Sequence, residues 1–105
     1  MDKYIIVTTL CDKKEVADKI IDTLLEKKLV AGTQLSKVHS KYWWNNELEE
    51  CDEYKLEFRT KSNLFNEIEK EIKSIHDYEV AEISCCEILN ASLEFLNWID
   101  QNVRW

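Results

Sequence analysis

At 105 residues, with 45% hydrophobic and 33% charged side chains, the chain has the balance of one soluble globular domain with its own core. Its 21 acidic against 14 basic residues give a formal net charge of −7, which argues against a nucleic-acid-binding surface. The apolar run at residues 4–10 is too short to span a membrane, and four cysteines without a CxxC pair argue against a zinc ribbon or a disulfide framework. With no targeting signal in view, a cytoplasmic location with reduced thiols is expected.

Lys3 to Leu10 is dominated by β-branched and aromatic residues and predicts a first strand, buried on much of both faces and therefore central. Asp12, three residues before Glu15, resembles a capping box. Behind it Val16, Ala17, Ile20, Ile21, Leu24 and Leu25 recur with the period of a helix buried on one side, with Lys27 and Lys28 expected in its last turn. Residues 31–44 form the next extended run, in which the only glycine, Gly32, signals a bulge or a close backbone approach. Asn45 and Asn46 supply a turn, and residues 47–60 return as a second long strand in which Tyr54, Leu56, Phe58 and Thr60 alternate with polar residues. Ser62 is expected to cap a second helix carrying Leu64 or Phe65, Ile68, Ile72 and Ile75. Residues 81–89 read as a fourth strand, and Asn90 and Ser92 introduce a terminal helix through Leu93, Phe95, Leu96, Trp98 and Ile99.

The order β-α-β-β-α-β plus a helix is that of an α+β, ferredoxin-like split βαβ sandwich, a single domain over residues 1–105. Two helices cover one face of a four-stranded antiparallel sheet. The other face and the long β2–β3 hairpin would stay exposed, which is a liability in a monomer, so a homo-oligomer is expected.

The functional candidates converge on the link between the second helix and the fourth strand. His76, Glu79 and Glu82 offer an imidazole and two carboxylates, a donor set suited to divalent metals, although their spacing matches no recognised metal motif. Tyr42-Trp43-Trp44 near the hairpin tip is either a stacking platform or, the stronger reading, a set of interface anchors. Arg59, Tyr78 and Trp44 would line a ligand cleft beside the link, with Tyr42 and Trp43 at the interface. Cys85 and Cys86 alternate faces on a strand, one expected in the core and the other at a surface or interface. Cys11 is expected to be buried, and His39 shows no identifiable partner. No catalytic residues are expected, since one glycine cannot build a phosphate loop and no nucleophile–base pair stands at a motif spacing.

Over nearly its whole length the chain resembles the CutA divalent-cation-tolerance proteins. The resemblance rests on the first strand and helix, Tyr42-Trp43-Trp44, Phe58-Arg59-Thr60, Ser62-Asn63-Leu64-Phe65, residues 76–83, and the terminal helix with Phe95, Leu96, Trp98 and Ile99. It implies a ferredoxin-like protomer in a PII-like homotrimer joined through its hairpins. It also implies a link to tolerance of copper and other divalent cations. Together with His76, Glu79 and Glu82 it leads to the expectation of a cytosolic trimer that binds or responds to divalent metals, copper foremost, without catalysis. The alternative it carries is a PII-like sensor or adaptor for a small anionic ligand or a protein partner. Three departures stand out: Asp77 and Ala81 replace the family's prolines, and Gly32 replaces its cysteine after the first helix.

Overall fold

The structure, a computed structural model, describes residues 3–104. The elements are β1 (Tyr4–Cys11), α1 (Lys14–Glu26), β2 (Gly32–Trp44), β3 (Glu47–Lys61), a 3-10 turn (Ser62–Leu64), α2 (Phe65–Ile75), β4 (Ile83–Glu87) and α3 (Leu93–Asn102). All pairings are antiparallel, in the order β2-β3-β1-β4. This is the ferredoxin-like α+β arrangement, with β1 central.

Strand alternation decides which side chains make the core. Ile5, Val7, Thr9 and Cys11 of β1 and Leu56, Phe58 and Thr60 of β3 face the helices and are buried, while their neighbours stay half-exposed. Against them pack Ala17, Ile20 and Leu24 of α1 and Ile68 and Ile72 of α2. Each large apolar side chain fully removed from water there contributes roughly 1.5–3 kcal/mol. The expected burial of β1 on both faces is thus complete on one face only.

Helix ends differ from the sequence reading because caps depend on where the first turn actually starts. The residue ahead of α1 is Lys13, with no side-chain cap, so Asp12 does not cap it. Lys27 and Lys28 lie beyond the last turn. Lys28 adopts φ 55° and donates its N–H to Leu25 O, while Leu29 N–H reaches Leu24 O. That pair of bonds is a Schellman motif, sealed by the buried Leu24 and Leu29, with lysine where glycine is usual. Ser62 does not cap α2; its hydroxyl accepts from Lys3 N–H at 3.0 Å and a 3-10 turn intervenes. Ser92 caps α3 as expected, accepting from Phe95 N–H at 3.2 Å.

Asn45 and Asn46 both take positive φ, 52° and 64°, which fits the two-residue turn closing the Trp44–Glu47 pair. The fourth strand is shorter than expected, 83–87 rather than 81–89. Cys85 and Cys86 are both exposed, because β4 is an edge strand with four of its five residues outside. The open face is not left bare. Trp98 of α3 covers Gly32, Tyr4 Oη donates to Asp100 Oδ2 at 2.8 Å, and Lys61 Nζ lies 3.1 Å from Asp100 Oδ1. No helix among the described residues is long and apolar enough to cross a membrane.

Candidate functional site

The pairing of β1 with β3 ends at Cys11–Tyr54, yet β3 runs on with β2 alone to the hairpin tip. The link after α2 fills the place that β1 vacates. His76 closes α2 with its N–H on Ile72 O and then turns extended, at φ −66° and ψ 141°. Its ring is inside, 1% exposed. Nδ1 accepts from Tyr78 N–H at 3.1 Å, so the proton sits on Nε2, which donates to Leu10 O at 2.6 Å. The ring also lies 4.6 Å from the Tyr78 ring, centroid to centroid.

Tyr78 completes the latch. Its hydroxyl donates to Glu53 Oε2 at 2.8 Å, across the first β3 residue past the end of β1. Burial, and then the Glu53 carboxylate beside it, push the Tyr78 phenol far above its ordinary value. The next residue, Asp77, pairs with Lys13 Nζ at 2.6 Å; that contact holds its carboxyl below the ordinary carboxylate range and raises Lys13 in turn.

Between this latched link and the hairpin lies a groove of about 990 Å³. Tyr42, Trp43, Trp44 and Cys51 form its hairpin side, and residues 78–82 form the other. The aromatic side chains are 40%, 72% and 36% exposed in that order, unusual for indole rings on a lone protomer. Asp12, Glu53, Glu79 and Glu82 also line the groove, so its charge is predominantly negative. Tyr42 Oη and Cys51 Sγ stand 3.6 Å apart, and this contact raises the Tyr42 phenol to about 12.

The structure therefore brings Tyr78, Trp44, Tyr42, Trp43, Glu79 and Glu82 to one groove. It leaves out Arg59. Arg59 pairs in register with Ile6 and Gly32, six residues along β3 from Glu53, which is roughly 20 Å of strand. His76 supports the wall from behind, with both ring nitrogens engaged. Two features escaped the sequence reading. One is the Tyr78–Glu53 bond, which joins residues far apart in the chain. The other is His39, whose Nδ1 is 2.7 Å from Asp52 Oδ1 and whose Nε2 is 2.5 Å from Glu50 Oε1. Its partner was findable: a two-residue Asn-Asn turn closing Trp44 on Glu47 sets His39 opposite Asp52.

A divalent metal is tested by the donors present. Ligation by His76 would require it to surrender one of its two hydrogen bonds. Glu79 and Glu82 are exposed, and Glu82 already accepts from Ser84 Oγ at 3.0 Å. Among the described residues no three histidine, cysteine or acidic side chains are placed to hold one ion. The described donors of one protomer do not close a metal site.

Residues 5–102 match the family model of the CutA1 divalent ion tolerance protein. The chain belongs to the CutA1 family. It is 34% identical over 104 residues to the divalent-cation tolerance protein CutA of Archaeoglobus fulgidus, covering 99% of this chain and 100% of that one. To the CutA of Pyrococcus horikoshii it is 30% identical over 100 residues, covering 95% and 98%. The crystal structure of CutA1 from Pyrococcus horikoshii superposes with a TM-score of 0.90 at 29% identity, over 96% of this chain and 99% of that one. The structure of the periplasmic divalent cation tolerance protein CutA from Archaeoglobus fulgidus gives 0.89 at 34% identity, over 99% and 100%. Within the CutA1 frame the departures acquire physical content. Asp77, where the resemblance implies proline, carries the carboxylate that pairs with Lys13, and Gly32 makes room for the Trp98 ring.

Proposed function

We propose that the protein is a cytoplasmic homotrimer that binds divalent cations, copper foremost, and acts by binding without turnover. One observation carries the reading: in a member of a divalent ion tolerance family, four carboxylates line a groove, while the described residues of one protomer do not by themselves complete a metal site. Glu79 and Glu82 supply anionic oxygens at its rim, and His76 positions them by fixing the link to Leu10 and Tyr78. A neighbouring subunit adds the missing donors. The exposed Tyr42 and Trp43 on the hairpin, together with the unpaired outer edges of β2 and β4, favour such an assembly.

Calorimetric titration of copper(II) and zinc(II) into wild type and a Glu79→Gln/Glu82→Gln variant tests the site. Saturable heats that fall at least tenfold in affinity in the variant support it; equal heats remove the two glutamates from the role. Light scattering at micromolar concentration tests the assembly, and a monomer there would sink the intersubunit site.

A second reading is favoured by Arg59, whose Nη1 is buried without a hydrogen-bond partner among the described residues. An unmet guanidinium donor inside is costly, and a small anion or a protein partner's carboxylate would satisfy it. In that case the trimer serves as a sensor or adaptor. A melting shift across a panel of anionic metabolites, lost in Arg59→Ala, distinguishes this reading from metal binding.

A further inference from the structure

We propose that the groove between the hairpin and the 78–82 link binds a linear polyamine, with one ammonium held by Glu53 and Trp44. The inference uses the groove but does not rest on a metal there.

Glu53 is 7% exposed, lines the groove, and accepts at Oε2 from the Tyr78 hydroxyl. A phenol brings a proton but no charge. Among the described residues no lysine, arginine or histidine pairs with this carboxylate, and Oε1 has no donor. A nearly buried carboxylate is costly unless a cation or further donors meet it. An ammonium supplies both at once. The lining's own cations are engaged elsewhere. Strand alternation puts Lys41 on the ribbon's other face, in register with Glu50. His39 shares that face and stands between Asp52 and Glu50.

The hairpin wall selects the kind of cation. Tyr42 and Trp44 alternate with Trp43, so they share the ribbon's face with Cys51 and Glu53, as the Tyr42–Cys51 contact confirms. Both rings line the groove and stay partly exposed. Aromatic faces attract ammonium groups and cover methylenes, whereas a hard metal ion takes oxygen ligands. The rim carboxylates of Asp12, Glu79 and Glu82 do not gather round one point, since no three such side chains among the described residues are placed to hold one ion. Charges spread along a groove suit a chain that carries its own charges at intervals. A linear polyamine has ammonium groups separated by a few methylenes, and an alkylammonium such as lysine's keeps its proton to about pH 10. A groove of about 990 Å³ has room for such a chain along its length.

Calorimetric titration of spermidine into the metal-stripped protein, as it assembles in solution, decides it. The titration is run at about 0.15 M salt, where attraction by diffuse charge is screened beyond about 8 Å. Saturable binding at one site per protomer is expected, weakened at least about tenfold by Glu53→Gln. Trp44→Leu should weaken it about two- to fivefold, the range of a partly exposed cation–π contact. Glu79→Gln/Glu82→Gln, altered only at exposed positions, should cost about two- to fivefold and keeps the test open if Glu53→Gln does not fold. Glu26→Gln removes the same charge from α1, outside the groove, and should change nothing. Magnesium(II) at equal concentration of charge should fail to displace spermidine, because it makes no use of the rings. Equal displacement by magnesium overturns the proposal, since the groove would then only gather counter-ions. Affinity unchanged in the groove variants overturns it too. So does the absence of saturable binding, which would mean that a neighbouring subunit fills the groove.

Discussion

The hydroxyl of Tyr78 donates to the buried carboxylate of Glu53 across 2.8 Å, joining the link after α2 to the hairpin where β1 stops. Glu53 is 7% exposed, and this is the bond that ties it to the link. Removing the phenol oxygen leaves a buried carboxylate short of a donor, at a cost of about 1–3 kcal/mol. Tyr78→Phe should therefore lower the denaturation free energy by that amount, while Glu53→Gln, which can still accept from the phenol, should cost less. Urea titrations of the two variants against wild type measure the difference. Equal losses would mean that the bond itself contributes little.

The end of α1 offers a prediction of the opposite sign. Lys28 sits at φ 55°, where a β-carbon crowds the following carbonyl, and its backbone C=O accepts from Arg104 N–H at 2.9 Å. Lys28→Gly removes the crowding and keeps every backbone bond. The unfolded chain gains freedom, which offsets part of the benefit. A net stabilisation of about 0.5–1 kcal/mol is expected, visible as a rise in Tm. A fall would show that the lysine side chain does something beyond occupying the position.

Cys11 makes alkaline stability diagnostic. Burial is the main cause that lifts its thiol from 9.0 to about 11. A group that holds its proton more tightly when folded contributes stability below its unfolded value and loses it as pH rises through the folded one. Wild type should therefore weaken between pH 9 and 10 with a slope approaching about 1.4 kcal/mol per pH unit. The raised Tyr78 and Tyr42 phenols steepen the fall further as pH nears 10, where an unfolded tyrosine titrates, and they do so equally in wild type and in a Cys11 variant. Cys11→Ala, whatever its absolute stability, should flatten that slope in denaturant midpoints taken at half-unit pH steps.

Local signals were legible in the sequence and long-range ones were not. The alternation in residues 54–60, the α1 stripe and the paired asparagines each depend on neighbours within a few positions, and each produced the element expected. Gly32 announced a close approach, and the structure supplies Trp98. Caps failed at Asp12 and Ser62 because the same residue types serve other backbone groups once the chain has folded, as Ser62 serves Lys3 N–H. The latch stayed hidden because His76 meets Leu10 and Tyr78 meets Glu53 across separations of 66 and 25 residues. No periodicity encodes such pairs. The exposure of Cys85 and Cys86 followed from the place of β4 at the sheet edge, a property of topology rather than of the strand.

Gly32 and Trp98 should behave as one unit. A β-carbon on residue 32 would stand 2.7 Å from Trp98 Cη2 and 3.3 Å from Cζ2, so Gly32→Ala cannot be accommodated without moving the indole. The atom met is the far end of a side chain that is 40% exposed, which keeps the cost at the lower end of overpacking, about 1 kcal/mol. Moving the ring disturbs more than itself, because Trp98 stacks on Phe95 at 5.6 Å and neighbours Ile99 and Asp100, which fasten α3 to the core and to Tyr4 and Lys61. Trp98→Leu alone should also destabilise, through lost burial. Once the indole is gone the atoms that crowd a β-carbon at residue 32 are gone with it, so the double variant should be less unstable than the two single losses added together. A double-mutant cycle in urea measures that coupling, expected at about 0.5–1 kcal/mol. Strict additivity would mean that the ring swings clear of residue 32 at no cost, and that glycine is there for a reason other than the tryptophan.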